Sequence, residues 1–150
     1  MTLRKVEIHV AKNYNELIKG KIFIGGADDA RQAAETEGTA KVFDLRSEAE
    51  DSNEGYLRIH TPIMDDREHQ DESIKNAIDE VVGAYRKGEK VFFHCAAGSN
   101  RAGTVAIGTL LELGEARTYE EAEQKAKEAR PIIQVKPEYK AALKRLYPKA

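Results

Sequence analysis

Residues His94–Arg101 read HCAAGSNR, and they join the only cysteine of the chain to an arginine six positions later through a run of small residues. Small side chains let a backbone curl tightly and turn its N–H groups inward. Together with the N-terminus of a following helix, those N–H groups make a nest for an anion. Arg101 adds a planar fork that can hold two oxygens of a phosphate at once. The same positive surroundings favour Cys95 as a thiolate, the reactive form of the side chain. A thiolate beside a phosphate cradle is the arrangement that attacks phosphorus. A buried structural cysteine would explain Cys95 alone. It would not explain His94, Cys95, Gly98 and Arg101 together at fixed offsets. Ala96, Ala97, Gly98, Ser99, Asn100 and Arg101 are therefore the expected phosphate contacts. Expelling an alkoxide or phenoxide also needs a proton donor. The acidic stretch holding Asp65, Asp66, Glu68, Asp71 and Glu72 supplies candidates, although most carboxylates in such a loop are simply solvated.

A loop of this kind must be held by the elements on either side of it. Residues 90–94 (KVFFH) form a continuous apolar run, which fits a central strand covered on both faces and ending at His94. A helix follows from about Arg101 to just before Gly114. Upstream, residues 6–10 alternate apolar and polar like a half-buried strand. Residues 21–26 and 40–45 fit two further strands, and residues 56–60 alternate again. A helix capped by Asp28 or Asp29 runs to about Glu37 and stops at Gly38. A longer helix begins at Asp71, shows Ile74, Ile78, Val81, Val82 and Tyr85 at helical spacing, and stops at Gly88. Residues 118–121 (TYEE) form a capping box that opens a helix presenting Tyr119, Ala122, Ala126 and Ala129. A last helix starts near Pro137 and shows Tyr139, Leu143, Leu146 and Tyr147 on one face. Strands alternating with helices define an α/β fold, with a twisted, mostly parallel sheet flanked by helices.

The whole chain narrows the possibilities. At 150 residues it is expected to form a single domain over 1–150. With 41% hydrophobic and 33% charged residues it reads as a globular protein, and a net charge of −2 gives no global pull toward nucleic acid or an anionic membrane. The N-terminus lacks the apolar stretch of a secretory signal, no segment has the length to span a bilayer, and a lone cysteine makes no internal disulfide. A reducing, cytoplasmic setting is the expectation. His9, His60 and His69 show no paired spacing, so no metal site is expected.

The HCAAGSNR segment resembles the H-C-x5-R signature of cysteine-dependent protein tyrosine phosphatases, and the short chain is similar to their small, atypical dual-specificity branch. Residues 61–65 (TPIMD) resemble the segment carrying the general acid there. Residues 120–133 and the helix near Tyr139 to Leu146 resemble the closing helices. The likeness extends over about residues 20–147. It implies Cys95 as nucleophile, Arg101 as phosphate clamp and Asp65 as general acid, with Asp66 the alternative one step away. His94 would order the loop by hydrogen bonding. No metal or organic cofactor is implied. The expected partner is a phosphorylated protein carrying phosphotyrosine, or phosphoserine and phosphothreonine, met by a monomer. Ala96, Ala97, Ser99 and Asn100 add no cations, which disfavours highly phosphorylated inositol head groups.

One position departs from that family. Ala102 stands where a Ser or Thr usually helps the thiolate leave. Certain glucan phosphatases are similar in having alanine there, and Thr104 offers a nearby hydroxyl, although a threonine in a first helical turn commonly bonds its own backbone. Three alternatives remain open at this point: a glucan or small-metabolite phosphatase, a non-catalytic phosphate-binding module, and a rhodanese-type sulfurtransferase. The loop of the last is typically one residue shorter. Arg46 is expected to be solvated or ion-paired rather than to reach the pocket, and residues 46–55 to form a solvated acidic loop.

Overall fold

The computed structural model describes residues 11–48 and 55–150. The expected strand over residues 6–10, with His9, lies outside them. The described strands are β1 (Asn15–Ile18), β2 (Ile22–Gly26), β3 (Lys41–Asp44), β4 (Arg58–His60) and β5 (Val91–Cys95). They form one sheet in the order β1-β2-β5-β3-β4. Only the β1–β2 pair is antiparallel. The β2–β5, β5–β3 and β3–β4 pairs are parallel. The α/β reading holds, with a mostly parallel sheet whose central strand carries the cysteine.

Alternation along the strands explains why helices cover both faces. Ile22, Ile24, Phe43, Val91 and Phe93 pack into one cluster, under α2 (Gln70–Arg86), α3 (Arg101–Glu112), α4 (Tyr119–Ala129) and α5 (Pro137–Leu146). Phe23, Val42 and Phe92 point the other way. They pack with Tyr14, Ala30 and Ala33, the last two from α1 (Ala30–Glu37). A strand apolar on both sides is what a parallel sheet requires. α3 is enclosed along most of its length, with Ala102 through Leu110 all buried. Its glycines allow this close approach: a methyl group on Gly108 would lie 2.1 Å from Ile78 Cδ1.

Two boundaries differ from expectation in ways that matter. β5 continues one residue past His94, because Gly26 pairs with Cys95 in the parallel register. Cys95 is thus the last residue of a central strand rather than the first of a loop. β1 is not evident in the sequence. Its residues NELI mix polar and apolar types and are only partly covered, as suits an edge strand held by its hairpin to β2. The capping box of α4 is also half realised. Thr118 Oγ1 accepts from Glu121 N–H at 3.1 Å, whereas the Glu121 carboxylate reaches back to Arg117 N–H at 3.3 Å.

Candidate active site

The turn from β5 to α3 is held from outside by its carbonyl oxygens. Ala27 N–H donates to Ala96 O at 3.0 Å. Arg130 Nη2 donates to Ala97 O at 3.0 Å and Nε to Gly98 O at 2.8 Å. A trans peptide unit points its C=O and N–H in opposite directions. Drawing these three carbonyls outward therefore turns the N–H groups of Ala97, Gly98 and Ser99 to the inner side. Gly98 sits at φ +73°, and a Cβ there would lie 2.5 Å from the Gly25 carbonyl, so only glycine fits. Ser99 Oγ donates to Ile132 O at 2.8 Å, and Asn100 Oδ1 accepts from Lys136 N–H at 2.9 Å. These two side chains tie the loop to the segment leading into α5.

Cys95 is 6% exposed at the base of this turn. Its Sγ lies 3.4 Å from Ala102 N–H, a donor of the first turn of α3. The cavity above it has a volume of about 240 Å³ and is lined by Cys95, the loop residues Ala96, Ala97, Ser99 and Asn100, and by Arg101, Asp65, Lys136 and Tyr139.

Asp65 is delivered by an extension of the sheet. Beyond β4, Thr61 N–H donates to Asp44 O at 2.9 Å and Ile63 N–H to Leu45 O at 3.1 Å, with Ile63 fully buried. That fixes the chain up to Met64. Asp65 then meets Arg101 Nη2 at 3.1 Å and Lys136 Nζ at 3.0 Å, and it accepts from the Tyr139 hydroxyl. The hydrogen bond from Tyr139, reinforced by Lys136 and Arg101 against the effect of burial, holds the Asp65 carboxyl below the usual carboxylate range. Asp66 faces elsewhere: its carboxylate contacts His69 and its carbonyl accepts from Gln70 N–H at 3.0 Å at the start of α2.

Arg101 Nε donates to Tyr139 Oη at 3.3 Å, Nη1 to Glu48 Oε2 at 3.0 Å and Nη2 to Ser47 Oγ at 3.2 Å. The first residues of the stretch expected to be a solvated loop thus reach the arginine. Arg46 is ion-paired: with Arg58 it grips the fully buried Asp44, at 2.8 Å from each guanidinium. Burial opposes ionisation of Asp44, yet the hydrogen bonds from these arginines keep its carboxyl far below the usual range. His94 Nδ1 lies 3.1 Å from Cys95 O and 4.0 Å from Asp44 Oδ1, and burial pushes the imidazole below its ordinary pKa. Thr104 Oγ1 donates to Asn100 O at 2.8 Å. Its proton is committed to its own helix, so it does not replace the hydroxyl that Ala102 lacks. Among the described residues no group of three or more His, Cys, Asp or Glu side chains is placed to hold a metal ion. No helix in this set is long and apolar enough to cross a membrane.

Three site residues escape sequence reasoning: Lys136, Tyr139 and Arg130. Tyr139 reads as part of the apolar stripe of α5, and it is indeed fully buried, but its hydroxyl reaches the site. An arginine directly before a proline gives no sign that it will fold back onto a distant loop.

A cysteine under inward-turned amides, faced by an arginine and an aspartate, is the arrangement expected of a cysteine-dependent phosphatase. The dual specificity phosphatase catalytic domain matches residues 22–149, and the chain belongs to that family. No curated protein matches the sequence. Among solved structures, the human tyrosine phosphatase-like serine/threonine/tyrosine-interacting protein superposes with a TM-score of 0.76 at 19% identity, covering 92% of this chain and 97% of that one. Human DUSP28 gives 0.72 at 20% identity, over 91% and 93% of the two chains. PTPMT1 in complex with PI(5)P gives 0.74 at 17% identity, over 91% and 95%. At such identities the likeness is one of fold.

Proposed function

We propose that this phosphatase hydrolyses phosphate monoesters through a phosphocysteine intermediate, acting first on phosphotyrosine in proteins and second on phosphoserine or phosphothreonine. The observation that carries the reading is the convergence of Cys95, Arg101 and Asp65 on one cavity of about 240 Å³. The incoming phosphate displaces the Asp65 and Glu48 carboxylates from Arg101 and docks on the loop amides. Cys95 Sγ attacks phosphorus, an S–P bond forms, and the ester P–O bond breaks as its oxygen takes a proton from Asp65. A water then attacks phosphorus and gives its proton to the Asp65 carboxylate. The S–P bond breaks, and the returning thiolate meets Ala102 N–H. Fixed dipoles and the guanidinium face the charge of the transferring group, so most of the rate gain is electrostatic.

The acid must be protonated before the first step, whereas the free site keeps it ionised. Substrate binding reverses this. A phosphate on Arg101 removes one cation from Asp65 and brings negative charge beside it, and both changes raise the carboxyl pKa.

The absence of cations at Ala96, Ala97, Ser99 and Asn100 supports a singly phosphorylated protein substrate. Lys136 on the cavity wall favours a second reading, a phosphorylated small molecule or glucan, which the same chemistry would serve. A lone working thiolate suits a reducing compartment such as the cytoplasm.

The test is p-nitrophenyl phosphate turnover by wild type, Cys95→Ser, Asp65→Asn and Asp66→Asn, followed by a panel of phosphotyrosine, phosphoserine and phosphoinositide substrates. Cys95→Ser should abolish turnover. Asp65→Asn should reduce it by about 10²–10⁴-fold, the usual contribution of a general acid, and Asp66→Asn should leave it near wild type. Phosphopeptide binding without phosphate release would make the protein a binding module instead.

A further inference from the structure

Arg130 is 5% exposed, yet its guanidinium binds only neutral acceptors. Besides Ala97 O and Gly98 O, these are Asn13 O at 2.6 Å and Asn15 Oδ1 at 2.8 Å, both from Nη1. Among the described residues no carboxylate lies within ion-pair distance of it. A buried cation is costly unless something offsets its charge, and its hydrogen bonds alone do not. Burial opposes its charge, and Asp29 supports that charge from beyond ion-pair distance. Asp29 Oδ2 accepts Gly26 N–H at 2.8 Å on the strand beside Cys95.

We propose that Arg130 is a positioning residue of the phosphate site: it anchors the loop to β1, turns the Gly98 and Ser99 amides toward the bound anion, and adds to the field there a charge that no carboxylate among the described residues pairs at close range. This inference rests on reading the loop as a phosphate cradle. The geometry separates the two contributions. The fork carries Nε and Nη2 side by side onto consecutive carbonyls, while Nη1 reaches the start of the sheet. Lysine has one ammonium and keeps the charge without the fork. Methionine keeps neither.

Tungstate, a stable oxyanion of phosphate-like shape, is the probe. In the wild type, ¹⁵N–¹H spectra should show the amides of Ala97, Gly98 and Ser99 shifting on tungstate addition. Arg130→Met should weaken tungstate binding by about tenfold or more, the equivalent of losing one or two net hydrogen bonds, and remove the Gly98 and Ser99 shifts. Arg130→Lys should recover part of the affinity and little of the shift pattern. Circular dichroism checks that each variant is folded. A folded Arg130→Met with wild-type affinity and wild-type shifts overturns the proposal. So does a wild type that binds tungstate without moving the Gly98 and Ser99 amides, a result that needs no variant to fold. If the wild type binds tungstate and turns over p-nitrophenyl phosphate while Arg130→Met behaves identically, this inference alone fails. If the wild type does neither, the phosphatase reading fails with it.

Discussion

The two sides of β5 bury charge in opposite ways. Toward β3 and β4, the Asp44 carboxylate is inaccessible and gripped by two guanidiniums. Toward β2 and β1, the Arg130 guanidinium is just as enclosed but rests on carbonyl and amide oxygens. The first network is closed in that its buried carboxylate is paired directly, and it keeps Arg46 out of the cavity. The second is open, and its charge is left to act on whatever occupies the loop. One side serves the fold and the other serves the ligand, and Cys95 sits between them.

The sharpest break of that contrast is Asp44→Asn. It withdraws the anion that both arginines bind here, and breaking such a buried arrangement costs about 3–5 kcal/mol. The urea midpoint should fall accordingly with an unchanged slope, while the tungstate affinity of the folded fraction stays near wild type. Its pH dependence follows from the depressed carboxyl. The unfolded chain takes up a proton near pH 3.9 and the folded chain only at lower pH. The stabilisation is therefore complete above about pH 4 and lost as pH falls through the folded value, so the variant should lack this acid slope.

Gly98→Ala is the counterpart on the other side. Its Cβ would meet the Gly25 carbonyl and lie 2.8 Å from Arg130 Nη2. Turnover should drop by about a hundredfold through displacement of the loop, with the thermal unfolding midpoint much less affected than in Asp44→Asn. A smaller effect is expected at His94, which lies between the two networks. Burial keeps it neutral in the folded protein, so below roughly pH 6.5 the unfolded chain gains a proton that the folded chain refuses. Wild-type stability should decline as pH falls from that point, and His94→Asn should flatten the decline. The mildest change is Ala102→Ser, which offers Cys95 Sγ a hydroxyl beside the existing N–H. Steady-state turnover should rise, while the single-turnover rate of phosphocysteine formation stays the same in rapid-quench measurements.

What could be read in advance follows the same division. The β5–α3 turn is local, so eight consecutive residues state its chemistry, whereas Asp65 is reached only through the family resemblance of residues 61–65, which leaves Asp66 as the alternative. The supporting side chains come from places that only folding brings near. Arg130 is 32 residues from Gly98, and Arg101 is 53 from Glu48. Tyr139 was legible as a core residue and opaque as a site residue, because an aromatic ring can bury its body and still extend its hydroxyl. The edge strand β1 is not legible because half-covered residues carry little periodic signal. The limit of β5 is not legible because parallel pairing with Gly26, rather than any propensity of cysteine, sets it.

The enclosure of α3 has a practical consequence for engineering. A rod enclosed from Ala102 to Leu110 cannot be retuned by single changes there without disturbing its neighbours, so this end of the site is a fixed part. Selectivity is better altered at the exposed positions next to site residues: Met64, directly before Asp65, and Ile132, whose carbonyl accepts from Ser99 Oγ. Libraries built on those two positions should yield altered substrate ranking with intact folding, whereas libraries along α3 should mostly yield insoluble chains.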